Sequence, residues 1–348
     1  MKILYIIDVP FIKNKGVFIK AINQIQIWRE LGNEVLLYSL YHADFFNLEK
    51  EYFLFKRNKL KVYLNLNRST KKLYFFLMEN KIDIVYSRQL LFTKYLFKIL
   101  KENNVIFEIN SDAKIEYKKR SSLTYLYYSL TNGLINKKLK GVIYVSNELK
   151  EKFNINSHST VIGNGLRIRN HEPNKNTSSR SVVFIGSKNH YWNGFDKIIK
   201  LARRLKNIKF NVIGIKGNSE NNLIYHGKLD EKEAEKIILN STIGISTLSL
   251  YKKGMIEASP LKSRLYLSLG VPIIYAYKDT DLDGNEIFAK QFPNDDSDIN
   301  IEEFLNFFKK VELNKFKMYN EIILFSRKKL SNEVKEFKRI EFFKKCKD

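Results

Sequence analysis

This sequence of 348 residues contains one cysteine and no long apolar run. The single thiol, Cys346, excludes a disulfide framework within the chain and a metal site built from several thiolates. No apolar stretch reaches the roughly 18–20 residues that a helical membrane span requires. A composition of 44% hydrophobic and 28% charged residues fits a globular chain. We therefore expect a protein of the reducing cytoplasm, either soluble or peripheral on the inner face of the cell membrane.

Familiar catalytic and metal-binding motifs are also missing. The sequence has no Walker A loop, no nucleophile elbow of the GxSxG type, no GxGxxG fingerprint and no HExxH pair. Its five histidines are scattered without metal-ligand spacing. Hydrolase, P-loop and zinc-enzyme chemistry are thus not indicated.

Negative charge is scarce relative to positive charge. Lysine and arginine total 61 against 37 aspartate and glutamate, which gives a net charge of +24. Compositional drift in an AT-rich genome could explain the excess, and so could an anionic membrane surface that carries a lipid-linked acceptor. No finger, homeodomain-like or RNP-type motif supports a nucleic acid partner, so none is expected.

Short β-rich runs alternate with helical patterns along the chain, and this alternation is typical of βαβ units around a largely parallel sheet. A polar, turn-rich stretch at 167–180 has the composition of a linker and separates two such series. The predicted strands of the first series are 2–8, 34–40, 61–66, 83–88, 105–110, 141–146 and 159–163. Those of the second series are 181–186, 210–214, 223–227, 243–247 and 272–277. The sequence predicts two consecutive α/β domains.

The most informative stretch is MIEASPLKSRLYLSLGVPIIYAY, Met255–Tyr277. Pro260 suits the first turn of a helix, where its missing N–H would have no partner. Gly270 suits the left-handed residue that ends a helix. A helix N-terminus that follows a strand offers free N–H groups and a positive dipole end, which favour a bound phosphate.

The same stretch resembles the donor-site signature of the glycosyltransferase family 4 type enzymes, which have the GT-B fold. In that family a glutamate, seven residues and a second glutamate hold a nucleotide-sugar. The first glutamate corresponds to Glu257, near the donor sugar, and Leu265 stands where the second would bind the ribose hydroxyls. The resemblance implies donor contacts from this loop and helix, at Ser259, Pro260, Leu261, Lys262, Arg264 and Leu265.

A second phrase, FIGSKNHYWNGFDKII, resembles the family stretch in which an arginine and a lysine clamp the donor diphosphate. Gly186 and Gly194 fit this motif. Ser187 and Asn193 occupy the expected arginine and lysine places, and Lys188 lies one residue out of register as a candidate phosphate ligand.

Three segments of the first half resemble the acceptor side of the family. Gly16 ends the loop after the first strand, where close backbone approach to a ligand is one interpretation and an ordinary turn is the other. Arg88 ends the predicted strand 83–88, while Glu108 and Asn110 end the strand 105–110. Strand ends in doubly wound folds point at the ligand crevice, although neighbouring backbone could equally satisfy these side chains.

The resemblance implies two Rossmann-like domains facing across a cleft, residues 1–168 for the acceptor and 169–325 for the donor, with a C-terminal helix, 326–348, crossing back to the first domain. It implies a class of reaction as well: a retaining hexosyl- or N-acetylhexosaminyl-transferase that moves a sugar from a nucleotide diphosphate donor to a saccharide or lipid-linked saccharide. A bacterial surface polysaccharide such as capsule or O-antigen is the implied product. No metal or other cofactor is expected. The alternative is a GT-B protein of weak or no activity that serves as a partner subunit.

One segment, 118–140, bears on membranes. It places six residues near one face of a helix, between basic clusters: Leu123, Leu126, Tyr127, Leu130, Leu134 and Ile135. This stripe could pack on the sheet of the first domain, or it could dock on anionic lipid. The sequence leaves both hypotheses open.

Overall fold

The computed structural model describes residues 1–11, 16–47, 62–168, 180–187 and 189–347. Contacts between residues divide the chain into two compact units. The first comprises residues 1–162 together with 336–348, and the second comprises residues 163–335. The sequence predicted the boundaries at 168/169 and 325/326, so the contacts move the first boundary towards the N-terminus and the second towards the C-terminus.

The first unit contains a seven-stranded sheet in the order β3-β2-β1-β4-β5-β6-β7. All neighbouring strands are parallel except β2 and β3. Because β1 lies between β2 and β4, the strand order reverses direction between β1 and β4. The strands are β1 Lys2–Ile7, β2 Glu34–Ser39, β3 Asp44–Phe45, β4 Ile84–Arg88, β5 Val105–Ile109, β6 Gly141–Tyr144 and β7 His158–Val161.

Helices connect these strands. They are α1 Gly16–Glu30, α2 Val62–Glu79, α3 Lys94–Glu102, α4 Ala113–Arg120, α5 Ser122–Asn136 and α6 Asn147–Phe153. The predicted strand at 61–66 is wrong, because residues 62–66 form the first turns of α2. The buried residues of α2 explain the difference: Leu66, Leu73, Tyr74 and Leu77 recur at helical spacing.

Apolar side chains cover both faces of this sheet. On one face Trp28 of α1 is fully buried and stacks on Tyr5 of β1, with ring centroids 5.5 Å apart. Burial on both faces explains why the strands read as nearly continuous apolar runs in the sequence.

The second unit contains a six-stranded parallel sheet in the order β10-β9-β8-β11-β13-β15, beside a separate parallel pair, β12 and β14. The strands are β8 Ser181–Ile185, β9 Lys209–Ile213, β10 Leu223–Gly227, β11 Ile243–Ile245, β12 Glu257–Ala258, β13 Ile273–Tyr275, β14 Lys278–Asp279 and β15 Ala289–Gln291. The helices are α7 Phe195–Arg204, α8 Glu231–Leu239, α9 Leu261–Ser268, α10 Ile301–Leu313, α11 Lys315–Phe325 and α12 Asn332–Lys347, of which α12 belongs to the first unit from Glu336 onward.

Helix α9 packs tightly on its own sheet. A Cβ on Gly244 of β11 would lie 2.4 Å from the ring of Tyr266, so only glycine fits beneath that ring. The Tyr266 hydroxyl accepts a hydrogen bond from the Ile185 backbone N–H at 2.8 Å. Gly270 follows α9 with a φ of +71°, which confirms the predicted left-handed stop. These contacts fix where the N-terminus of α9 lies relative to β8.

None of the described helices is long and apolar enough to cross a lipid bilayer. One of the two hypotheses for segment 118–140 required the leucines of its apolar face to pack on the sheet of the first unit. In the structure these leucines are exposed instead. Leu123 is 80% exposed and Leu130 is 72% exposed, whereas Ile135 is buried.

Candidate functional site

The N-terminus of α9 forms the centre of the donor-side candidate site. Pro260 is the N-cap, one residue before the helical turn in which the sequence placed it, and no side chain caps the helix. The first turn contains no acidic residue. Its first N–H groups have no partner within the helix, and the dipole is positive at this end. Leu261, the first helical residue, is 52% exposed.

The two residues predicted before the helix have different environments. Glu257 lies in β12, where its backbone pairs with Lys278 and its side chain is buried. The Ser259 hydroxyl accepts hydrogen bonds from the Asn164 backbone N–H and from Arg264 Nη2, both at 2.8 Å. Ser259 therefore fixes the short segment between β12 and α9. Glu257 provides a buried carboxylate just before that segment.

Lys262 lies beside the segment after β8 that contains Gly186 and Gly194, here called the glycine loop. Its Nζ donates to Asn193 Oδ1 at 2.8 Å and lies 4.5 Å from the centroid of the Phe184 ring. Burial lowers the pKa of this lysine to about 7. The resemblance of the sequence puts Asn193 in the place of a lysine, and in the structure Lys262 of α9 reaches Asn193 from another element.

Arg264 has a different environment from Lys262, although the resemblance implies donor contacts from both. Its guanidinium is fully buried and pairs bidentately with Asp279, at 2.9 and 2.7 Å. It also donates to Asp281 at 2.9 Å and to the Asn164 carbonyl at 3.2 Å. Together with the bond to Ser259, these contacts engage both terminal nitrogens and Nε. The geometry gives Arg264 a structural role in orienting the loop.

Leu265 is half-buried and packs against the apolar core of the second unit. A leucine offers no hydrogen-bond acceptor to a ribose hydroxyl.

The glycine loop itself is tightly constrained. A Cβ on Gly186 would lie 2.5 Å from the Phe184 ring. Gly194 has a φ of +73°, and a Cβ there would lie 2.8 Å from the Leu248 side chain. His190 stacks on Trp192, with centroids 4.6 Å apart. Lys188 lies outside the described residues.

The acceptor-side residues of the first unit fall into two groups. Gly16 begins α1, and Arg88 ends β4 next to β1. A cavity of about 190 Å³ opens at the carboxyl ends of these two strands. Its lining consists of Ile7, Asp8, Val9, Val17, Leu66, Arg88, Gln89, Leu90, Leu91 and Tyr117.

Glu108 belongs instead to a buried ionic cluster. Its carboxylate accepts from Lys20 Nζ at 2.9 Å, from Arg339 of α12 at 2.9 Å, from the Tyr86 hydroxyl and from Asn110 Nδ2 at 2.8 Å. Burial raises the pKa of Glu108, but the surrounding cations outweigh burial and hold it well below its usual range. These contacts give Glu108 and Asn110 a structural role.

Sequence reasoning missed the partners in this cluster. Arg339 also pairs with Glu336 at 2.6 Å, and Glu336 accepts from the indole N–H of Trp28 at 2.8 Å. All three side chains are buried. Charged residues on a C-terminal helix look like solvated positions in a single sequence, so no signal marked them.

No protein-family model matches this sequence, and no curated protein matches it. Solved structures do resemble it over the full length. Sucrose-phosphate synthase from Thermosynechococcus elongatus has a TM-score of 0.71 at 9% identity, with 99% of each chain covered. A glycosyltransferase from Rickettsia africae has a TM-score of 0.69 at 13% identity, over 99% of this chain and 98% of that one. Anabaena HepE in complex with UDP-glucose has a TM-score of 0.64 at 13% identity, over 99% and 100%.

The likeness to these structures shows that the chain has the GT-B fold, as the sequence predicted.

Proposed function

We propose that this protein transfers a sugar from a nucleotide diphosphate donor to a saccharide or lipid-linked saccharide acceptor. The observation that carries the proposal is the position of Lys262, in the first turn of α9 and within hydrogen-bond distance of Asn193. A cation and a helix N-terminus at one place suit a diphosphate. HepE, which has the same fold, was solved with UDP-glucose.

In this proposal the donor's C1–O bond breaks and its electron pair leaves with the diphosphate. The acceptor hydroxyl forms the new C1–O bond, and its proton passes to the departing phosphate oxygen. Configuration at C1 is retained, as the family resemblance implies. Lys262 and the N–H groups of α9 stabilise the charge that develops on the leaving group, so no metal ion is needed for that task.

Glu257 is the proposed carboxylate of the donor sugar site. It is buried, and it precedes α9 by four residues at the spacing of the family signature. Lys188, Gly186, Gly194, Ser259, Pro260 and Leu261 complete the proposed donor loops, Lys188 by sequence alone.

The experiment is a screen of nucleotide-sugars for release of the nucleotide, with water or added saccharides as acceptor. Turnover of one donor class supports the proposal and names the donor. Glu257→Gln should lower kcat/KM for that donor by about 10²-fold or more, because a positioned carboxylate commonly contributes that much.

Glu302→Gln, an exposed glutamate on α10, is the matched control and should leave kcat/KM unchanged. A Glu257→Gln variant with wild-type kcat/KM would remove Glu257 from the site.

A specific observation favours the second candidate, a partner subunit with weak or no activity. Leu265 packs on the core where the family has its ribose-binding carboxylate. Absence of turnover with every donor, together with binding of a nucleoside diphosphate, would favour this candidate.

We further propose that the protein is peripheral on an anionic membrane. Leu123, Leu126, Leu130 and Leu134 follow one another at spacings of three and four on α5, and they are 80%, 55%, 72% and 48% exposed. Lys118, Lys137 and Lys138 are exposed at the two ends of this stretch. An apolar helix face between basic ends suits the headgroup region of an anionic bilayer. Bacterial surface polysaccharide synthesis, the pathway implied by the family resemblance, is part of this proposal.

A further inference from the structure

Arg88 of β4 is a half-buried arginine that makes no hydrogen bond within the described part of the chain. Arg88 Nε is buried and makes no hydrogen bond, and no ion pair of Arg88 occurs in the described part of the chain. A buried or half-buried charge without a counter-ion is unfavourable. Such an arrangement is typical of a ligand site, because the ligand supplies the missing charge.

The charges around Arg88 are unbalanced. Its strand partner Glu108 is already neutralised by Lys20 and Arg339, and Arg339 also pairs with Glu336. Arg88 acts on Glu108 through space without contacting it, so three cations face two carboxylates and one positive charge is in excess.

Arg88 also lines the cavity of about 190 Å³ at the carboxyl ends of β1 and β4. The strand order reverses at this point, and ligands of open α/β sheets bind outside such reversals. At about 30 Å³ per water, the cavity has room for roughly six water molecules. A phosphate with part of a sugar ring fits that volume, whereas an oligosaccharide does not.

The other lining groups suit the same ligand. Val17 lies in the first turn of α1, which has no acidic residue and whose dipole favours an anion. Tyr117 offers an aromatic surface, and it is held against Tyr128 at 5.0 Å. Asp8 is exposed at the cavity.

We infer that the acceptor carries a phosphoryl group next to its sugar and that Arg88 binds this group in the β1–β4 cavity. This inference rests on the proposed glycosyl transfer, and it narrows the acceptor to phosphorylated saccharides, soluble or lipid-linked. Arginine suits the task because its planar fork binds phosphate oxygens bidentately.

Calorimetric titration with glucose 1-phosphate and with glucose tests the inference, with UDP present at saturation to occupy the donor side. The wild type should bind glucose 1-phosphate at least tenfold more tightly than glucose. Arg88→Gln should remove the difference, and Arg88→Lys should retain part of it. Arg68→Gln removes the same charge from an exposed position of α2 and should change nothing.

Melting curves separate ligand binding from a structural role. Arg88 makes no hydrogen bond or ion pair within the described residues, and Lys20 and Arg339 already hold Glu108 ionised, so Arg88→Gln should melt close to the wild-type temperature. A lower melting temperature with unchanged selectivity would overturn the assignment.

The inference would be overturned if the wild type bound glucose 1-phosphate and glucose equally tightly. It would also be overturned if glucose 1-phosphate did not bind measurably or if UDP displaced it. Vesicles that carry a glucosyl phosphate lipid distinguish the source of the group: tighter binding to them than to glucose 1-phosphate, lost in Arg88→Gln, assigns it to a lipid.

The nucleotide release screen decides the proposed function separately. Turnover without phosphate selectivity refutes the inference alone, and selectivity without turnover refutes glycosyl transfer but keeps the cavity assignment.

Discussion

At the scale of single residues, Lys262 should make nucleotide binding depend on pH. Burial lowers its pKa to about 7, so in the free protein the lysine is largely neutral at pH 8. A diphosphate favours the ammonium form, and binding of UDP at pH 8 should therefore take up close to one proton. The affinity should fall as pH rises above about 7.

Calorimetry in buffers of different ionisation enthalpy measures this proton uptake. Lys262→Gln should abolish the uptake and bind UDP more weakly at pH 6. Lys236→Gln, an exposed lysine of α8, is the control. Proton uptake that persists in Lys262→Gln would exclude Lys262 from the diphosphate site.

Leu265 gives a second prediction at this scale. Because it is only half-buried, Leu265→Glu should place a carboxylate within reach of a ribose and leave the melting temperature nearly unchanged. A charge-assisted hydrogen bond contributes roughly 1.5–3 kcal/mol, so UDP should bind about tenfold more tightly.

The 2′-deoxy analogue of UDP should lose this gain, and Leu265→Met should bind both nucleotides like the wild type. A destabilised Leu265→Glu variant without higher affinity would show that this position belongs to the core alone.

The contrast between Lys262 and Arg264 shows what the sequence could and could not predict. Residues two apart on a helix point to opposite sides, so the spacing alone argues against one phosphate binding both. Which of the two is buried depends on Asp279, fifteen residues beyond Arg264, and on Asn164. Those contacts exist only in the tertiary structure.

At the scale of elements, strands buried on both faces were predictable because their apolar runs are short and continuous. The exception, 61–66, is too short for periodicity to distinguish a strand from the start of a helix. The role of Glu108 was not predictable either, because its partner Arg339 is 231 residues away in the chain.

The Glu108 cluster should anchor the end of α12 in the first unit. Glu108→Gln leaves Lys20 and Arg339 without their carboxylate, and it should lower the free energy of unfolding by about 3–5 kcal/mol. The pKa of Glu108 is held below its usual range in the folded state. The carboxylate therefore contributes stability above about pH 4.3, its unfolded value, and this contribution is lost as pH falls further.

Denaturant unfolding at several pH values checks this prediction. The wild type should exceed Glu108→Gln in stability at pH 7, and the two should converge towards pH 3. Glu302→Gln is again the exposed control. A constant difference across this pH range would mean that the ionised carboxylate is not the stabilising group.

At the scale of the whole molecule, the net charge of +24 and the leucine face of α5 lead to one prediction about membranes. The protein should bind anionic vesicles at low salt, and this binding should weaken strongly as salt is added, because exposed charges are screened beyond about 8–10 Å near physiological ionic strength.

Replacing Leu126 and Leu130 by glutamine should weaken vesicle binding by at least about tenfold, since burying a leucine contributes roughly 1.5–3 kcal/mol. The matched control replaces Leu313 and Leu324, which are 74% and 69% exposed on α10 and α11, and it should bind like the wild type. Vesicle flotation measures both pairs. If the variant with the α5 replacements and the control variant bind vesicles equally, charge alone accounts for the affinity and the leucine face is not inserted in lipid. If the α5 pair instead changes the oligomeric state in solution, the leucine face is a contact between proteins, and the membrane proposal fails.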